Sequence, residues 1–469
     1  MPDPIAARPL GTTSLAGLVS RGIAVPAYPR HGPAGVVHLG LGAFHRAHQA
    51  LVFDQLLAGG DTRWGVLGVA MRQPALADTL AAQDGLYSVQ LASAHERRWQ
   101  VSGAIWRTCL ATRERQTVVQ ALAAASTRWV TLTVTEKAYG PELAGLLVEG
   151  LAARRAAGCG GLTVASCDNL HHNGRSLQAL CVHHARTQDP ALAHWIDTVC
   201  AFPDSMVDRI VPAGSQAITA QAQEALGVTD RAALRSEVFS EWVIERRFVD
   251  ATDAGVLASA GVQVVDDVRP YEEAKLRLLN GSHSAMACIG AVAGLPVISD
   301  CVGRAEVHQF VHTLMGTDIG PLLQRHDWLA YRDALLARFA NPYLQHSVHQ
   351  IATDSSLKIT LRWVPAAVDA LHAGRPFSRL AFCAAAWMRY WLGEDEAGVS
   401  YSVSDPLAET LRENARKHKG DPAATFDALG RMPAIWGDVL AHDPAWRAGV
   451  IGHLQSIQSH GILAGAALS

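Results

Sequence analysis

The chain has 469 residues, of which 49% are hydrophobic and 18% charged, with a formal net charge of −3. That length exceeds the roughly 250–300 residues at which a single core stops growing, so two domains are expected. The near-neutral balance excludes a general attraction to nucleic acid or to an anionic membrane, and no run approaches the roughly 18 apolar residues of a spanning helix. Met1–Pro33 carries scattered Arg and Pro without the continuous apolar stretch of a secretory signal. The eight cysteines are dispersed and form no CxxC pair, which points to reduced thiols and a cytoplasmic protein.

In chain order, the first pattern is Val36-Val37-His38-Leu39 running into Gly40-Leu41-Gly42-Ala43-Phe44-His45, an apolar strand meeting two glycines and then a helical stretch through Leu57. This is the strand, turn and helix that open a dinucleotide fold, where glycines admit a pyrophosphate to the positive end of the helix. His45 takes the place of the third glycine, and a short strand-Gly-helix junction also occurs in proteins that bind no nucleotide. Apolar, β-branched runs follow at Trp64–Ala70, Trp129–Thr135 and Leu162–Ala165, separated by Ala- and Leu-rich stretches of helical spacing. Strands alternating with helices imply a parallel sheet, whose ligands bind beyond the carboxyl ends of its strands. Thr135-Glu136-Lys137 and Ser166-Cys167-Asp168-Asn169 stand at two such ends.

After about residue 270 the β-type runs stop and amphipathic helices follow. The expected fold is α/β: a Rossmann-type, doubly wound dinucleotide-binding domain over 1–268, and a mainly α-helical substrate-binding and catalytic domain over 269–469 that closes over the sheet edge. The helix after Pro270 carries Lys275, Asn280 and His283. At α-helical winding they fall at roughly 0°, 140° and 80°, one side but not a narrow stripe. A desolvated lysine can serve as a base, an amide can donate to a carbonyl oxygen, and a neutral imidazole can orient a hydroxyl. The same three residues also read as a surface lysine, a cap and a core histidine. The 21 histidines invite a metal reading, yet the pairs His171-His172 and His183-His184 are adjacent and expected to point apart. His45 and His48 lack a further ligand at metal spacing. No metal is expected.

Seven strings carry a resemblance: GLGAFHRAHQ (40–49), TLTVTEKAY (131–139), SCDNLHHNG (166–174), FPDSMVDRIVP (202–212), EWVIE (241–245), KLRLLNGSHS (275–284) and DSSLK (354–358). In this order they resemble the polyol-specific long-chain dehydrogenases, which include mannitol 2-dehydrogenase, arabinitol 4-dehydrogenase and fructuronate reductase. The resemblance implies a metal-independent hydride transfer between a substrate carbon and a nicotinamide cofactor. It places the catalytic lysine on Lys275, the amides that hold the reacting oxygen on Asn169 and Asn280, and a substrate-site histidine on His283. Asp208, Arg209 and Lys358 also match substrate-facing positions, and Glu272 matches an acid beside the proton path. Gly40, Leu41, Gly42, Ala43, Phe44, Arg72 and Thr135 are the expected cofactor residues.

Within the family, Gln350 stands where mannitol dehydrogenases carry arginine. His346, Gln350, Arg362 and Trp387-Met388-Arg389-Tyr390 look more like fructuronate reductase. A D-fructuronate/D-mannonate substrate is therefore expected, its carboxylate met by Arg362 and Lys358. A neutral polyol such as mannitol or arabinitol is the alternative, and a non-catalytic NAD-binding sensor a remote one. No carboxylate ends the second strand, GVAMRQ (68–73), and Arg72 could meet a 2′-phosphate. NAD is the expected cofactor, with NADP left open. The chain is shorter than its relatives between Tyr139 and Gly158, and Thr360 and Asp204 depart from the family pattern, changes that bear on substrate choice.

Overall fold

The computed structural model describes residues 8–469, so the opening of the Met1–Pro33 stretch lies outside the described residues. The chain divides into two compact units, the first ending at Val268 and the second running Arg269–Ser469.

The first unit is built on five parallel strands, β1 (Val36–Leu39), β2 (Val66–Ala70), β5 (Ile105–Leu110), β6 (Trp129–Leu132) and β7 (Thr163–Ser166), in the spatial order β5-β2-β1-β6-β7. Each pairing between neighbours is parallel. Four of these strands, β1, β2, β6 and β7, are buried along their whole length, the pattern of a sheet covered on both faces by crossover helices. Helix Pro141–Ala156 covers one face, with Leu143, Leu146, Leu147 and Leu151 packed on Val130, Leu132 and Val164 in one core. A second core gathers Phe53, Trp64, Trp129 and Trp242. Chain order reverses between β1 and β6, and that switch point is where a sheet of this kind receives its ligand.

The stretch between β2 and β6, expected to be helical, holds β3 (Tyr87–Ala92), β4 (Arg97–Ser102) and β5. β3 pairs antiparallel with β4 and parallel with β9 (Leu234–Glu237), making a separate three-stranded sheet. β3 is buried throughout and β4 passes from exposed to buried along its length. Both alternate apolar and polar residues, Tyr87-Ser88-Val89-Gln90-Leu91 and Arg98-Trp99-Gln100-Val101-Ser102, the period-two signal of a strand that the helical expectation passed over. A third sheet, in the order β11-β10-β8, joins β8 (Ser205–Asp208), β10 (Glu241–Glu245) and β11 (Gln263–Val265).

The second unit is helical, its extended pairings being the isolated bridges Val297–Ser347 and Glu394–Ser400. Helix Gly281–Val292 is buried at every residue and packs on helix Ser378–Tyr390. Trp363, Trp387, Trp391, Trp436 and Trp446 are fully buried around them. Trp387 meets Trp391 and Trp436 edge-on, with ring centroids 5.5 Å apart in both pairs, and its Nε1 donates to Ser355 Oγ. The Trp387–Tyr390 string, used above as a mark of substrate class, therefore lies in the core, where packing alone accounts for Trp387. Among the described residues, no helix is long and apolar enough to cross a membrane.

Candidate active site

β1 runs directly into Gly40, whose φ of 97° lies in the region that favours glycine. A Cβ there would overlap the Thr133 carbonyl, its carbon only 2.6 Å away, because the end of β6 closes against the turn. His38 ties the two together, its Nδ1 2.8 Å from Thr131 Oγ1 and its Nε2 3.0 Å from Thr133 Oγ1. Full burial pushes the His38 imidazole down to about 3, so it stays neutral. His45, at the place of a third glycine, stacks on His38 with centroids 3.4 Å apart. Two buried aromatic rings thus replace the close helix–strand packing a glycine would allow. The expected helix through Leu57 is broken at His48 (φ −124°, ψ −89°), giving Ala43–Ala47 and Gln49–Ala58.

Gly42 differs from Gly40. Its φ is −136°, and a Cβ would meet only the Gly40 carbonyl oxygen at 3.5 Å. The N–H groups of Gly40 and Leu41 donate to Val69 O, whereas no backbone carbonyl among the described residues accepts from those of Gly42, Ala43 and Phe44. Free N–H groups beside a side-chain-free Gly42 fit a pyrophosphate at the switch point. Arg72, just past β2, pairs with Glu142 at 2.9 Å, both side chains well exposed. A carboxylate already faces the guanidinium that could have met a 2′-phosphate.

Beyond β6 and β7, the two polar strings lie at the sheet's carboxyl edge, as the pattern predicted. Thr135 is exposed and holds φ 73°, ψ 156°, and its N–H donates to Asp168 Oδ1 at 2.8 Å. Asn169 follows the buried Asp168 and is exposed. Asp208 ends β8 opposite Glu241. Arg209 donates to the backbone carbonyls of Ala47, Glu237 and Val238, contacts that help knit the first unit together.

In the second unit, helix Arg269–Ala274 passes into a π-helical turn, Lys275–Asn280, before helix Gly281–Val292. The Gly281 N–H donates to Leu276 O, five residues back. In such a turn the fifth residue takes the place the fourth holds in an α-helix, so Asn280 stands roughly 40° from Lys275 instead of roughly 140°. Three α-helical residues later, His283 returns to within roughly 20° on the other side. The loose grouping expected from α winding is thus corrected to a stripe about 60° wide. Lys275 is half-buried, Asn280 and His283 are buried, and Glu272 is buried one turn earlier.

Several groups hold this turn. Arg277 pairs with Glu273 at 2.6 Å and Asp369 at 2.7 Å. Arg362 Nη1 donates to Asn280 O at 3.1 Å and Ser284 Oγ at 2.8 Å, and Trp363 Nε1 to Gly281 O at 2.9 Å. Burial pushes the Arg362 guanidinium down to about 10, still a cation at neutral pH, and no carboxylate among the described residues pairs with it. His346 lies with its ring 5.8 Å from that of His283, and desolvation lowers its pKa. Lys358 Nζ donates to Ile351 O at 3.1 Å. Trp363 and Arg277 were not singled out from the sequence, because a tryptophan or an ion pair within a helical segment carries no sign of what it holds. His171 and His172, expected to point apart, stack at 5.2 Å because His172 turns into a left-handed conformation (φ 48°). No group of three or more His, Cys, Asp or Glu among the described residues is placed to hold a metal ion.

A parallel sheet in this order, with a glycine turn at its switch point and a separate helical unit, defines a Rossmann-type oxidoreductase architecture. Residues 34–254 match the mannitol dehydrogenase Rossmann domain and residues 267–457 the mannitol dehydrogenase C-terminal domain. The chain is 34% identical to a mannitol 2-dehydrogenase of Phaeosphaeria nodorum, over 94% of this chain and 82% of that one. It is 37% identical to an uncharacterized oxidoreductase of Escherichia coli, YeiQ, over 87% and 89%. Among solved structures, mannitol 2-dehydrogenase of Pseudomonas fluorescens, in a ternary complex with NAD and D-mannitol, superposes with a TM-score of 0.83 at 31% identity, covering 97% of this chain and 98% of that one. The chain belongs to the mannitol dehydrogenase family and is a dehydrogenase acting on a CH–OH group. No comparison favours fructuronate reductase within that family: the relatives named for a substrate include mannitol 2-dehydrogenases and, among solved structures, a D-sorbitol dehydrogenase that superposes with a TM-score of 0.88 at 29% identity, covering 98% of this chain and 100% of that one.

Proposed function

We propose that the chain is an NAD-dependent, metal-independent dehydrogenase that oxidises a secondary hydroxyl of a neutral polyol of the mannitol or arabinitol type. The observation that carries this reading is the π-turn that gathers Lys275, Asn280 and His283 onto one stripe. NAD, when bound at the Gly40–Leu41–Gly42 turn, supplies the hydride acceptor. In oxidation the neutral Lys275 amine takes the hydroxyl proton, and in reduction its ammonium form returns it. Asn280 donates an amide hydrogen bond to the oxygen as negative charge develops, and Asn169 is the second amide donor. His283, with His346 beside it, orients the hydroxyl. Glu272, one turn before Lys275, stands on the route by which the proton leaves. Asp208, Arg209 and Lys358 are assigned to the substrate's remaining hydroxyls.

A second reading has one specific observation in its favour. Arg362 presents a half-buried guanidinium without a carboxylate partner among the described residues next to Asn280, and a D-fructuronate/D-mannonate substrate would bring one. Steady-state rates with D-mannitol, D-arabinitol and D-mannonate, each with NAD and NADP, decide between the two. The polyol reading expects kcat/KM at least about tenfold higher for a neutral polyol, a difference of about 1.4 kcal/mol. A tenfold preference for mannonate transfers the assignment to the sugar acid. No turnover on any of the three overturns both.

A further inference from the structure

Thr135 is strained in a way its surroundings must enforce. With φ 73° and ψ 156° it occupies backbone space essentially reserved for glycine, and it is β-branched. Unaided, the chain would relax by flipping the Val134–Thr135 peptide, which would turn its N–H away from Asp168.

The opposing groups are built for that N–H. Asp168, 8% exposed, accepts from Thr135 N at 2.8 Å through Oδ1 and from Tyr139 Oη at 3.0 Å through Oδ2; burial raises its pKa, and the hydrogen bonds from the Thr135 and Val134 N–H groups and from Tyr139 oppose that rise. Tyr139 Oη also meets Ser166 Oγ at 2.5 Å, which ties the loop after β6 to the end of β7. The Asp168 backbone is fixed in turn, since Asn173 Nδ2 donates to Asp168 O at 3.0 Å and Asn173 Oδ1 accepts from Ser205 N at 2.9 Å. A carboxylate meets all these donors with acceptor oxygens, whereas an asparagine would turn an NH₂ toward one of them.

We propose that Asp168, braced by Tyr139, is a positioning residue that holds the Val134–Thr135 peptide in its strained orientation for the nicotinamide cofactor at the switch point between β1 and β6. The peptide N–H is fixed inward on Asp168, so the Val134 carbonyl is turned away from it and remains available as an acceptor. This inference rests on the NAD reading above.

The test is NAD affinity measured by calorimetry, together with thermal unfolding, for the wild type, Asp168→Asn, Tyr139→Phe and the double variant Asp168→Asn/Thr135→Gly. Asp168→Asn is expected to weaken NAD binding about tenfold, the scale of the strain it no longer opposes. Tyr139→Phe is expected to weaken it less, and serves where Asp168→Asn does not fold. Glycine at 135 adopts the strained conformation unaided, so the double variant is expected to recover most of the lost affinity. A purely structural role would lower the melting temperature while leaving the affinity of the folded protein unchanged, and glycine would rescue nothing. NAD affinity within twofold of wild type in folded Asp168→Asn and Tyr139→Phe overturns the inference and leaves the NAD reading standing. A wild type that binds no NAD overturns both.

Discussion

Replacing Lys275 by alanine is expected to abolish polyol oxidation, by a factor on the order of 10²–10⁴, while NAD binding persists. The expectation follows from where the side chain stands. It opens the π-turn, half-buried, with Asn280 and His283 on the same stripe and Glu272 buried one turn before it. A base acts only within hydrogen-bond reach of its proton, and alanine leaves nothing there to take it. NAD binding is assigned to the other unit, at the glycine turn, and should be untouched. Stopped-flow rates of NADH formation and calorimetric NAD affinity check the two halves separately. Turnover within tenfold of wild type would remove Lys275 from the chemistry.

Gly40→Ala should have the second large effect, through binding. The left-handed conformation alone costs about 1–2 kcal/mol for a non-glycine residue. In addition, the new Cβ would press on the Thr133 carbonyl, which His38 holds in place through Thr133 Oγ1. Either the turn or the end of β6 must shift, and both border the switch point. KM for NAD is expected to rise by more than about tenfold, with a lowered melting temperature. Gly42→Ala is the control: its extended backbone accepts alanine and its Cβ meets little protein, so the melting temperature should hold. Loss of NAD affinity in Gly42→Ala without loss of stability would locate the cofactor against that residue, whereas equal melting temperatures for both variants would contradict the role assigned to Gly40.

The parts of the fold that were legible in the sequence are those whose burial repeats along the chain. β1, β6 and β7 are short apolar runs buried at every residue, and each stands where the pattern placed it. The polar strings after β6 and β7 stood out because polar residues interrupted apolar ones at a strand end. β3 and β4 were passed over for another reason: their residues alternate apolar and polar, Tyr87-Ser88-Val89-Gln90-Leu91 and Arg98-Trp99-Gln100-Val101-Ser102, so neither forms the continuous apolar run by which the other strands were read. The break at His48 left no trace, the residues on both sides being good helix formers.

The site shows the same limit more sharply. Lys275, Asn280 and His283 could be named from residue type and family resemblance, but their spacing under α winding put them on one side without a narrow stripe. What brings them together is one extra residue in the turn, fixed by partners far along the chain: Arg277 on Asp369, Arg362 on Asn280 O and Trp363 on Gly281 O. Helical periodicity is a local signal and does not register a tether some 80 residues away. Asp168 was noticed only as one letter in a polar string, because the strain it opposes at Thr135 exists only in the folded backbone.

The central claim, a lysine-based dehydrogenation of a polyol without a metal, is tested most directly by the pH dependence of kcat/KM for NAD-dependent oxidation of D-mannitol in the presence of a strong chelator. The account predicts a chelator-insensitive rate that rises with pH through a single lysine-like step and is lost in Lys275→Ala. A rate abolished by the chelator and restored by zinc, or a rising limb that survives in Lys275→Ala, would contradict it.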